Sequence, residues 1–195
     1  MALVDRARAI ITQPAETWSV IAAETATPAD IFRGYIVPLA LIAPVCTFLS
    51  TILFSHRSIV IALIVAVVAF VLELVNVVIV AFIVNALAPS FGAAQDRVAA
   101  LKLVAYSYTP RWIAGIATLL PVVGALLVLV ATLYGLYLMY LGIPPVMKVP
   151  QERAVGYTLV VVVAAIVLGA VVAIVAGILL AALTVSAIVT SPLVH

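Results

Sequence analysis

The stretch IVIALIVAVVAFVLELVNVVIVAFIVNALA, Ile59 to Ala88, has one ionisable side chain, Glu73, in 30 residues. Hydrocarbon offers no water to backbone N–H and C=O groups, so a segment of this kind crosses as a helix, whose hydrogen bonds are internal. At 1.5 Å per residue it is about 45 Å long against a ~30 Å hydrocarbon core, so it tilts or projects beyond the bilayer. Outward from it, Ser55-His56-Arg57-Ser58 is a tight turn and Pro89 to Asp96 is a closing loop. Gly34 to His56 carries no Asp, Glu, Lys or Arg and forms the preceding span (34–54), with Pro38 and Pro44 as expected kinks. Downstream, residues 122–142 form a span ended by Ile143-Pro144-Pro145, and residues 156–189 form the last. No turn dipeptide divides the last segment, which favours one long helix over a hairpin.

Composition gives the same class. Of 195 residues, 68% are hydrophobic, nine are cationic and seven acidic, and the mean hydropathy is +1.43. A soluble domain has ~25% charged residues, so this chain cannot coat a water-facing globule. It reads as an all-α, polytopic membrane protein with no room for a separate soluble domain. The net charge of +2 is too small to indicate nucleic acid. The single cysteine, Cys46, lies in an apolar run and reads as structural filler.

Residues 1–33 hold seven of the charges, Asp5, Arg6, Arg8, Glu16, Glu24, Asp30 and Arg33, and lack the apolar core of a secretory signal. Helical spacing places Leu3, Ala7, Ile10 and Ile11 on one side, and Trp18, Ile21 and Ala22 on one side after Pro14. Two short amphipathic helices follow. They either lie in the lipid interface with Trp18 as a headgroup-level anchor, the preferred reading, or pack on the membrane domain. Thr27-Pro28-Ala29-Asp30 has the layout of a capping box and opens the helix that enters the membrane.

Residues 98–120, with Lys102, Tyr106, Tyr108, Pro110 and Arg111, fit either a surface helix plus re-entrant loop or a kinked third span. The cationic residues decide. If the segment crosses, Arg6, Arg8, Arg33, Arg97, Lys102, Lys148 and Arg153 share one face, only Arg57 lies opposite, and Arg111 remains inside. The positive-inside rule then gives a five-helix transmembrane bundle (34–54, 59–88, 98–120, 122–142, 156–189), N-terminus cytoplasmic and C-terminus outside.

Candidates for chemistry are few. With His56, His195 and Cys46, no His/Cys metal cluster is available, and no GxSxG, HExxH or P-loop pattern occurs. Neither an enzyme nor a cofactor is expected. Glu73 at mid-span is expensive and requires a partner. Asn76 shares its face, and Arg111 lies at a similar estimated depth, so the candidate buried polar site is Glu73, Asn76, Tyr106, Ser107, Tyr108 and Arg111. The ion-pair reading leads over a proton- or ion-linked site. Tyr134, Tyr137 and Tyr140 read as packing and interface residues. Ala165, Gly169, Ala173, Gly177 and Ala181 recur every fourth residue and form a small-residue ridge, expected to pack within the chain or between copies.

Several stretches in order, Arg6-Ala7-Arg8-Ala9-Ile10-Ile11-Thr12-Gln13-Pro14 with Glu16, Thr17 and Trp18, Tyr35-Ile36-Val37-Pro38-Leu39, Tyr106-Ser107-Tyr108-Thr109-Pro110, Tyr134-Gly135-Leu136-Tyr137-Leu138, Leu141-Gly142-Ile143-Pro144 and Gly156-Tyr157, resemble the bacterial branch of the Ypt-interacting-protein (Yip) family. The resemblance implies a five-helix membrane domain with a cytoplasmic N-terminus, and it supplies no catalytic residue set to carry over. The expected function is a non-enzymatic scaffold of the bacterial inner membrane, in contact with the lipid bilayer and with itself or other membrane proteins. The alternative is a small transporter, channel or lipid-moving protein using Glu73, Asn76 and Arg111. A dry interior fits the first, and a polar cavity at a broken helix the second.

Overall fold

The computed structural model describes residues 2–55 and 58–190, which are helical with no strand among them. His56, Arg57 and His195 lie outside the described residues. Two short helices, α1 (Leu3–Thr12) and α2 (Pro14–Ala23), precede a run made of α3 (Pro28–Ile31), a π-helical turn (Phe32–Ile36), α4 (Val37–Ala40) and α5 (Ile42–Ser55). Then come α6 (Ile59–Leu87), a 3-10 turn (Ala88–Phe91), α7 (Arg97–Ser107), α8 (Thr109–Ala114), a second 3-10 stretch (Gly115–Leu119), α9 (Pro121–Met147) and α10 (Gln151–Thr190). Four helical stretches among the described residues are long and apolar enough to cross a membrane: Pro28–Phe54, Ile59–Phe91, Val123–Met147 and Gln151–Val175.

Local chemistry accounts for the first run. The Thr27 hydroxyl accepts from the Asp30 backbone N–H (3.2 Å), and the Asp30 carboxylate accepts from the Thr27 backbone N–H (3.1 Å), a closed capping box. Four residues on, the helix widens into the π-helical turn just before Pro38, where a proline ring would otherwise press on the preceding turn. The α-helix stops at Leu41, and Pro44 falls in the first turn of α5, where its missing N–H costs nothing.

The segment 97–119 is not one helix. Asp96 opens it by accepting from the N–H groups of Val98 (2.9 Å) and Ala99 (3.0 Å). Tyr108 still donates to the Val104 carbonyl (3.0 Å) and accepts from Trp112 (3.1 Å), so Pro110 interrupts the ladder locally and the chain continues in the same direction. The final five residues narrow to a 3-10 helix, whose ~2.0 Å rise brings the whole segment to roughly 35 Å. It runs antiparallel to α9, with Leu103 against Gly142, Ser107 against Gly135 and Ala117 against Gly124.

Two expected boundaries shift. Helix α9 passes through Pro144 and Pro145 to Met147 instead of ending at 142, because Ile143, Val146 and Met147 are buried and hold the last turn in place despite its missing donors. Lys148 then reverses the chain with φ +56°, and α10 starts at Gln151, five residues before the expected start, as one undivided helix.

The N-terminal helices do not lie free on lipid. Ile10, Trp18 and Ile21 are fully buried. Trp18 is no headgroup anchor, since its ring lies beside Gly142 and meets Tyr106 edge-on at 6.3 Å between centroids. An apolar helix face is satisfied equally by lipid and by protein, and here the glycine of α9 provides a slot for the indole. The buried Arg6 guanidinium pairs with Glu24 and sits 5.9 Å from the Tyr106 ring. Lys102, also buried, donates to the Ile21 carbonyl at 3.0 Å and to the Glu24 carbonyl, so its ammonium caps the end of α2 where carbonyls lack helical partners. Replacing Lys102 by Met is expected to lower stability in detergent by about 1–2 kcal/mol. Trypsin should then cleave at Arg6 and Arg8 faster, a readout separate from global unfolding.

Burial is uneven along the bundle. Large apolar side chains stay exposed over α5 (Val45 to Phe54), α6 (Ile59 to Phe82), α9 (Val123 to Tyr137) and α10 (Val155 to Ile178), whereas the dense core gathers at the end covered by α1 and α2. The first pattern is a lipid-facing belt and the second a protein-covered cap.

Candidate functional site

The break in segment 97–119 faces the one acid of α6. Arg111, on α8, pairs with one carboxylate oxygen of Glu73, and the indole Nε1–H of Trp112 donates to the other at 2.8 Å. Both carboxylate oxygens are therefore occupied, and the charge is neutralised within the bundle. The side chain of Glu73 is 14% exposed and that of Arg111 34%. The guanidinium lies 5.4 Å from the Tyr108 ring centroid, which in turn meets Trp112 edge-on at 5.9 Å. The Tyr35 and Thr109 hydroxyls, 2.7 Å apart, tie the first helical run to the start of α8.

Glu73 stands 14 residues from the start of α6, whereas Arg111 is only eight from Leu119. The 3-10 stretch, with its longer rise per residue, narrows this difference in distance along the two segments.

Arg111 lines two separate cavities. One, of about 170 Å³, is bounded by Asn76, Ser107, Tyr108, Thr132 and Gly135, with Ala165 and Gly169 across it. The other, of about 240 Å³, is bounded by Glu73, Trp112, Pro44, Thr47 and Thr118. Ser107 is 1% exposed and its Oγ has no hydrogen-bond partner. Polar groups at a helix interruption, with space on both sides, can hold water or a small polar group.

Of the six residues expected to form a polar site, the structure brings Glu73, Asn76, Ser107, Tyr108 and Arg111 to these two cavities. Tyr106 departs. It points to the cap, against Trp18 and, at 4.5 Å between centroids, Tyr35. Of the three tyrosines of α9, Tyr134 donates to the Ile11 carbonyl (2.7 Å), and Tyr137 is half exposed.

The glycines of the small-residue ridge make no close contact within the chain. Ala165 and Gly169 border the first cavity, Gly169, Ala173 and Gly177 are exposed, and a Cβ added at Gly169 or Gly177 would meet nothing within 4 Å. The Ala181 side chain lies outside those described. Close helix contacts instead use glycines that the pattern of fours passes over. A Cβ on Gly135 would lie 2.6 Å from the Ser107 carbonyl oxygen, one on Gly142 would lie 2.7 Å from both Leu103 and Trp18, and one on Gly124 would overlap the Ala117 carbonyl. Their spacings of 11 and 7 residues are close to three and two helical turns, so all three share the face of α9 that meets segment 97–119.

No curated protein and no solved structure matches the chain. The family model of the Yip1 domain matches residues 8–174, from within α1 through most of α10, including α2, the Glu73–Arg111 ion pair and the two cavities beside it. This match covers most of the sequence, and the chain belongs to the Yip1 domain family.

Proposed function

We propose that the protein is a non-enzymatic, five-span membrane-organising scaffold of a bacterial cytoplasmic membrane, N-terminus inside, that acts through helix packing and through contacts with lipid and protein. The observation that carries this reading is the locked cap. Its two helices are fixed by buried Trp18, Arg6 and Lys102 at the end of the bundle where Arg97, Lys148 and Arg153 also lie, which suits a fixed platform better than a moving part. The fifth span is segment 97–119, long enough by its combined rise and antiparallel to α9. A reporter fused after residue 195 tests the topology. Activity of a periplasm-dependent reporter is expected, and a cytoplasmic signal would require an even number of spans.

A second reading, a small transporter or lipid-moving protein, draws on the cavity beside Glu73 at the interrupted segment. Purified protein in liposomes separates the two. The scaffold reading expects proton leak and lipid scrambling equal to protein-free vesicles. Flux above that level that disappears in Glu73→Gln would establish the second reading and refute the first.

A further inference from the structure

A third cavity, of about 370 Å³, opens between α3 with its π-helical continuation, α6 and the start of α7. Phe32, Val78, Phe82 and Leu101 make its walls apolar, and its two polar or charged residues are Asn85 and Arg97. Phe82 is 66% exposed and Val78 47%, so the mouth opens onto the lipid-facing belt. Asn85 is 7% exposed, and its Oδ1 is buried without a hydrogen-bond partner. Arg97 is exposed and makes no ion pair among the described residues, while the neighbouring Asp96 carboxylate is engaged with the N–H groups of Val98 and Ala99. Arg97 and Asn85 lie at the capped end of the bundle, and Val78 lies seven residues, about 10 Å, further along α6 toward the belt.

We propose that this groove is a site for one anionic glycerophospholipid with a hydroxylated head. Its phosphate meets Arg97, a head-group hydroxyl donates to the Asn85 amide oxygen, and one acyl chain lies along Val78, Phe82 and Phe32. Three features select this occupant. A cation without a partner at headgroup level attracts a phosphate. A buried acceptor without a donor is costly until a donor arrives. The apolar walls continue from these groups into the belt, where only a tail of hydrocarbon is soluble. A phosphatidylcholine head has the same phosphate, but its own cation weakens the net attraction to Arg97, and it has no hydroxyl for Asn85.

The test uses the full-length protein in mild detergent, with lipid retention counted by native mass spectrometry for phosphatidylglycerol and for phosphatidylcholine of identical chains. One arginine near a membrane surface contributes about 1 kcal/mol, which is about fivefold in retention of phosphatidylglycerol over phosphatidylcholine. Arg97→Gln is expected to reduce that preference to the part that the Asn85 contact supplies. Val78→Trp, at an exposed position that tolerates bulk, is expected to fill the groove and lower phosphatidylglycerol retention with no change in the melting temperature measured without lipid. Inorganic phosphate at millimolar concentration should not compete. Equal retention of the two lipids by the unmodified protein, a preference undiminished by Arg97→Gln, retention unchanged in Val78→Trp, or displacement of the lipid by phosphate alone would each overturn the proposal.

Discussion

Gly135→Leu is expected to yield no folded protein, while Gly169→Leu, also a glycine-to-leucine change in a membrane helix, is expected to behave as wild type. At Gly135 the first atom of any side chain lies 2.6 Å from a backbone oxygen, that of Ser107. A backbone carbonyl cannot swing aside as the end of a side chain can. Relief therefore requires moving α7 and α8 away from α9, and that displacement would pull Arg111 and Trp112 from Glu73. Overpacking in a tight core costs about 1–3 kcal/mol for a few methylenes, and more where backbone must move. At Gly169 the same leucine enters the 170 Å³ cavity or faces lipid. Size-exclusion profile and melting temperature in detergent check both. A monodisperse Gly135→Leu protein with wild-type melting would mean that α9 and segment 97–119 do not touch there.

Glu73→Gln is expected to lower stability in detergent by about 2–3 kcal/mol, Arg111→Leu by less, and the double variant by less than the two single changes combined. The order follows from proton chemistry. A guanidinium does not give up its proton, so beside a neutral glutamine Arg111 stays charged in a site of low dielectric. Its partial exposure, 34% of the side chain, moderates the usual cost of about 3–5 kcal/mol for breaking a buried pair. Arg111→Leu removes the cation itself and leaves Glu73 the Trp112 N–H as a partner. Chemical unfolding of the four proteins measures the coupling, and strict additivity would mean that the pair contributes no interaction energy.

The pair was within reach of sequence because ionisable groups are scarce at membrane depth. One acid in α6 and, in the following segment, one arginine away from its N-terminal end leave few alternatives. The capping box at Thr27 is a contiguous four-residue signal, equally plain in the chain. Trp18 was not legible in this way, because an amphipathic helix has the same spacing whether its apolar face meets lipid or protein. Lys102 looks like one more surface cation until α2 is placed with its last carbonyls above it. The α10 ridge shows how a visible period can mislead in an alanine-rich helix. Its glycines have space around them, while the three crowded glycines of α9 follow two-turn and three-turn steps that only the position of the neighbouring segment brings out. Segment 97–119 could be identified as polar and interrupted, yet its 3-10 ending, which sets the depth of Arg111, has no sequence mark of its own.

The seat of the N-terminal helices also fixes an order of events during synthesis. Residues 1–24 leave the ribosome before the groups that hold them, Lys102, Tyr106, Tyr134 and Gly142, which follow about 80 to 130 residues later. Until α9 has been inserted, the apolar faces of α1 and α2 have no protein to rest on, and the membrane surface is the available temporary shelter. The amphipathic character that the finished bundle hides is thus what the nascent chain needs while it waits, and a chain released before residue 142 would keep its first two helices undocked.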